Sequence, residues 1–106
     1  GAGSNALIRR EIDETVIRRA AVVAVDARAT ALRESGDLLP ALEKGRLVEY
    51  GMVELGELLN GMRPGRESDD QITLFESQGM AIQDLTLASR LLEKARIAGL
   101  GRELPY

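Results

Sequence analysis

Ser68-Asp-Asp-Gln-Ile-Thr-Leu-Phe-Glu-Ser-Gln-Gly-Met-Ala-Ile-Gln-Asp84 passes from an acidic turn into a short apolar stretch and then into a long amphipathic one. Ile72 to Glu76 reads as a strand, with Ser77 at its end and Gly79 opening a helix. Strand, small polar residue, glycine and helix start are the arrangement by which α/β proteins present backbone N–H groups to a ligand.

Downstream, Met80 to Ala98 repeats apolar residues at helical spacing: Ala81, Leu85, Ala88, Leu92 and Ala95, flanked by Ile82 and Leu91. Gln83, Thr86, Arg90, Glu93 and Lys94 fill the other face, Gly99 and Gly101 stop the helix, and Arg102 to Tyr106 is a tail. Upstream, Ala21 to Val25 is a continuous apolar run ending on Asp26, the pattern of a strand buried on both faces. Gly1 to Arg10 reads as a loop. Asp13 caps a short helix over Glu14 to Arg19 that turns Val16 and Ile17 inward. Ala27 to Ser35 is a helix closed by Gly36. Pro40 begins another, ended by Gly45. Val53 to Leu59 reads as a third short helix before Asn60-Gly61, and Arg63-Pro-Gly-Arg66 as a turn. Two strands joined by mostly helical chain must be parallel with a crossover. Such a pair leaves both edges open and little area to bury, so it calls for further strands beside it.

The 106 residues suffice for one small domain. A hydrophobic content of 44% with charges of both signs marks a globular class. A net charge of −3, one Phe, two Tyr and no Trp supply neither a basic footprint nor a stacking platform, which argues against nucleic acid as a partner. There is no Cys, hence no disulfide or thiolate chemistry, and no His, the commonest general base and metal ligand. The longest apolar run, Ala20 to Val25, is six residues and far short of a membrane span. No signal-peptide pattern is visible, so the expected location is cytoplasmic, without a membrane partner.

Among single residues, Asp26 and Asp37 flank helix ends and read as caps, and Asp84 suits the first turn of the long helix. Glu67, Asp69 and Asp70 cluster without calcium-loop spacing, so no metal is expected. Gly1-Ala2-Gly3 lacks the G-x-G-x-x-G spacing and is no phosphate loop. Asn5 reads as a turn residue; Arg9 stands beside Arg10 with Glu11 as its partner; Ser77 reads as a helix N-cap facing the sheet rim.

The central stretch resembles the ITLF-x-S-x-G-x-A-x-x-D segment of the ornithine cyclodeaminase/mu-crystallin family of NAD(P)-dependent oxidoreductases. Gly3-Ser-Asn-Ala-Leu-Ile-Arg-Arg-Glu-Ile-Asp13 and Val53-Glu-Leu-Gly-Glu-Leu-Leu-Asn-Gly61 extend the likeness in order over nearly the whole chain. The resemblance implies an α/β fold: the C-terminal half of a Rossmann-like parallel sheet, with two strands and crossover helices over residues 1–78. The long helix and tail, residues 79–106, would return towards an N-terminal substrate and dimerisation domain. The first methionine is Met52, and the likeness enters in mid-domain, so the chain is expected to be a C-terminal fragment. The family passes a hydride between NAD or NADP and an amino or cyclic imino acid, and a homodimer is implied for the longer protein. Ala2, Gly3, Arg9 and Ser77 correspond to cofactor-binding positions, and Asn5 and Ser77 to substrate-binding ones. Asn5 stands where cyclodeaminases carry a proton-transferring aspartate. An amide cannot accept and release a proton near neutral pH. Imine reduction or amino acid oxidation is thus favoured over true cyclodeamination, the alternative being a non-catalytic, mu-crystallin-like cofactor or small-ligand binder.

Overall fold

The computed structural model describes residues 1–3, 5–102 and 104–105. Ser4, within the motif beginning at Gly3, and Glu103 and Tyr106 of the tail lie outside them. Three parallel strands form one sheet: β1 (Ala20–Val25), β2 (Met52–Glu54) and β3 (Ile72–Glu76), in the order β2-β1-β3. Val23 aligns with Met52 on one side and with Leu74 on the other. One extra residue, Ala21, bulges β1 between Ala20 and Val22 where it pairs with β3.

The expectation of two strands is corrected here. Met52–Glu54 is a strand, and the helix expected from Val53 starts only at Leu55 (α4, Leu55–Leu59). Glu57 draws the boundary: its carboxylate accepts the Glu54 backbone N–H at 2.8 Å, turning the chain out of the sheet into the first helical turn. A three-residue strand is too short for an alternating pattern to announce it.

The remaining helices are α1 (Glu14–Arg19), α2 (Arg28–Glu34), α3 (Leu39–Glu43) and α5 (Ala81–Ile97). Asp13 caps α1, its carboxylate accepting from the N–H groups of Thr15 and Val16 at 2.8 and 3.2 Å. Ile17, Val23, Val25, Ala31, Leu38, Ala41, Leu47, Met52 and Leu74 form the core, between one face of the sheet and α1 to α3. The opposite face is only partly covered by α4, which leaves a cavity of about 160 Å³ lined by Val22, Ala24, Leu55, Leu58 and Phe75 among others.

The long helix does not join this core. Ile82, Leu85, Leu87, Leu91, Leu92 and Ile97 are all exposed, and no residue of α5 is buried. The radius of gyration, 17.4 Å, is well above the roughly 13 Å of a compact domain this size. The apolar stripe on α5 is as expected, but no other described residue buries it.

Candidate functional site

The C-terminal ends of β1 and β3 meet the N-terminal loop, and three carboxylates organise the meeting. Asp26, just past β1, is buried and accepts three hydrogen bonds: from the Ser77 hydroxyl at 2.6 Å, the Gly79 N–H at 3.0 Å and the Gln83 amide at 2.9 Å. Burial pushes its pKa up, but these donors outweigh burial and hold the carboxyl below its ordinary value. Asp26 is therefore no helix cap, contrary to the sequence reading. It ties the β3–α5 turn to β1, while Ala27 stands at the α2 N-terminus without a side-chain cap.

Ser77 does not cap α5 either; Met80 occupies that place. Its hydroxyl donates to Asp26 and accepts from the Gly79 N–H at 3.2 Å, so the side chain has one lone pair left for a ligand and no proton. Gly79 has φ +83°, the left-handed turn that lets its N–H point back at both groups.

Gly1 lies along the free edge of β3. Its ammonium donates to the Phe75 carbonyl at 3.0 Å and its carbonyl accepts the Ser77 N–H at 2.9 Å. One residue bonding on either side of Glu76 is the pattern of a parallel ladder. From there the loop turns on Glu11, whose Oε2 accepts the N–H groups of Ala2 and Gly3 at 2.8 and 2.7 Å. Those two bonds hold the Glu11 carboxyl below its usual range. Asp37 in turn accepts the N–H groups of Glu11 and Ile12 at 2.8 and 3.3 Å; it too holds the loop and does not cap a helix. Gly36 is needed for this contact, because a Cβ there would sit 2.2 Å from the Arg9 carbonyl oxygen and 2.8 Å from that of Ala6.

The loop therefore brings Ala2 and Gly3 to the rim beside Ser77, and carries Asn5 and Arg9, both exposed, on its outer turn. The N–H groups of Ala2 and Gly3 are spent on Glu11, which leaves their carbonyls and the open side of the backbone for a ligand. Arg10 donates to the carbonyls of Leu7 and Arg9.

Sequence reasoning missed Glu76. It is fully buried, on the same face of β3 as Leu74. Burial, then the neighbouring Asp37 charge, push its carboxyl up to about 7. The signal was available: a strand that alternates inward at Leu74 must also turn Glu76 inward. No three acidic groups among the described residues are placed to hold a metal ion, and no described helix is long and apolar enough to cross a membrane.

The fold is matched by likeness to known proteins. Delta(1)-pyrroline-2-carboxylate reductase of Bacillus cereus is 37% identical over 99 residues, 92% of this chain and 30% of that protein. The structure of the Thermococcus litoralis enzyme of the same name, in complex with NADH and L-proline, superposes with a TM-score of 0.79 at 35% identity, covering 92% of this chain and 30% of that one. An archaeal alanine dehydrogenase dimer with bound NAD superposes with a TM-score of 0.76 at 30% identity, covering 99% and 32%. The sheet is thus of the Rossmann-like type, and the chain spans about 30% of the length of the curated relatives it matches. A model of the ornithine cyclodeaminase/mu-crystallin family matches residues 1–98. This chain belongs to the ornithine cyclodeaminase/mu-crystallin family.

Proposed function

We propose that these residues form the C-terminal part of an NAD(P)-dependent oxidoreductase acting on an amino acid or a cyclic imino acid. The supporting observation is the loop of Asn5 and Arg9 clamped against the C-terminal edge of a parallel sheet beside Ser77, where open α/β sheets collect ligands. The groups left open suit the nicotinamide end of a dinucleotide and not its pyrophosphate. The N–H pair that could hold an anion is filled by Glu11, and the sequence has no phosphate loop. Ala2, Gly3 and Ser77 would then face the nicotinamide end through acceptor oxygens, and the exposed Arg9 guanidinium would reach for ribose or phosphate. Bound there, the cofactor supplies or takes the hydride.

Asn5 hydrogen-bonds substrate but moves no proton, which favours imine reduction or amino acid oxidation over ammonia loss. The longer protein is read as a cytoplasmic homodimer. A strand before Gly1 would continue its ladder with β3, and the apolar stripe of α5 would pack on an N-terminal substrate domain. A binding protein without turnover is the second reading, favoured by a rim whose one hydroxyl proton is already given to Asp26. Incubating the longer protein with NADH or NADPH and a pyrroline or piperideine carboxylate separates the two. Oxidation of the reduced nicotinamide supports the enzyme; binding of cofactor without oxidation supports the binder.

A further inference from the structure

Behind the rim, on the core side of the sheet, lie three buried side-chain oxygens with no hydrogen-bond partner: Glu76 Oε2, Asp37 Oδ2 and Gln78 Oε1. Glu76 and Asp37 are 0% and 2% exposed. Two neighbouring carboxylates out of water cannot both stay ionised, because desolvation and mutual repulsion act in the same direction. A single proton between them turns two orphaned acceptors into a donor and an acceptor.

The surrounding charges offer little else. The Gly1 nitrogen lies 3.7 Å from Glu76 Oε2 at the edge of β3. Glu11, from the loop, adds negative charge, and the Gln78 amide reaches Glu76 Oε1 only at 3.5 Å. Arg10, beside Gly36, gives its guanidinium to loop carbonyls. Glu14, on α1, pairs with Lys44 and Arg46 in the turn after α3. On β1 the partner of Glu76 is the apolar Val25, and on β2 Glu54 accepts the Arg28 N–H at 2.9 Å.

We propose that Glu76 and Asp37 hold one proton between them and that this shared proton positions the loop over residues 2–12. With it in place, Asp37 keeps its grip on the N–H groups of Glu11 and Ile12, and Glu11 keeps Ala2 and Gly3 against the rim. Loss of the proton leaves two buried like charges, whose repulsion drives Asp37, and the loop with it, away from β3. Asp37 and Glu76 are positioning residues: they act on Asn5 and Arg9 through the loop backbone. The inference concerns what supports the loop and not what the loop binds, so it stands or falls separately from the proposed oxidoreductase activity.

Carbon-detected NMR titration of the side-chain carboxyls in the full chain tests it. One carboxyl of the pair is expected to titrate near neutral pH, well above the ordinary carboxylate range, and no such transition is expected in Glu76→Gln. Amide protection at Ala2, Gly3, Glu11 and Ile12, corrected for intrinsic exchange, should fall about tenfold through that transition, the equivalent of one pKa unit. In Glu76→Gln, whose amide can donate to Asp37 at any pH, protection should be flat. The proposal is overturned if both carboxyls titrate in the ordinary acidic range or if loop protection ignores the transition. Should Glu76→Gln fail to fold, the wild-type carboxyl titration decides by itself.

Discussion

Asp26 does more than any other single side chain at the rim, and it does so as a structural anion. Three donors from the β3–α5 turn and the first turn of α5 converge on it. Asp26→Ala should cost about 3 kcal/mol, the worth of one or two hydrogen bonds to a buried charge plus the donors left unpaired, measured by urea unfolding. Because hydrogen bonding holds its pKa down, its stabilisation is full above the unfolded value of about 3.8 and is lost as pH falls through the lower folded value. Glu76 has the opposite sign. Its raised pKa makes its contribution full below the ordinary value of 4.5 and lost as pH rises to about 7. Asn5 belongs to the same scale. Asn5→Asp in the longer protein should change which reaction occurs, by supplying a proton acceptor, more than it changes cofactor affinity. Product analysis with an amino acid substrate, set beside the cofactor dissociation constant, checks this; a change in affinity alone counts against the assigned role. Ser77→Ala strips a donor from Asp26 and, if the proposed function holds, a contact from the ligand as well. Binding should weaken by about 0.5–1.5 kcal/mol, with a loss of stability alongside it.

At the scale of elements, α5 is the piece whose chemistry and surroundings disagree. Its seventeen residues carry a stripe of exposed leucines and isoleucines, and an apolar face of that kind drives association when nothing covers it. The isolated chain should therefore self-associate in sedimentation experiments. Leu85→Glu with Leu92→Glu should shift it towards monomer. A monomeric wild-type chain with a cooperative melting transition would show instead that the fold is self-sufficient and the stripe incidental. Among the described residues, Gly1 pairs with the outer edge of β3.

At the scale of the whole molecule, the chain supplies a sheet rim and a loop but no phosphate loop, and its family relatives are about three times as long, as the 30% coverage implies. The 106 residues alone should show no hydride transfer above a buffer blank when given NADH or NADPH with a pyrroline carboxylate. Turnover by the isolated chain, followed by loss of reduced nicotinamide, would mean that the reacting residues all lie within it.

What local chemistry dictates was legible in the residues. The apolar runs of β1 and β3 announced parallel strands, Asp13 announced a helix start, and the long period from Met80 announced α5, because each depends on neighbours in the chain. The family was legible too, through short motifs in order. Only the tertiary structure decided where the carboxylates went. Asp26 and Asp37 look like caps until the fold brings Ser77 and Gly79 to the first and the loop N–H groups to the second. Glu11 looks like a surface charge until the loop closes on it. Glu76 acquires its raised pKa only when the fold takes its water away and brings the Asp37 charge beside it. Caps and periods are contacts within a few residues of one another, whereas a buried anion is defined by donors from distant parts of the chain, and no local pattern encodes which of them will arrive.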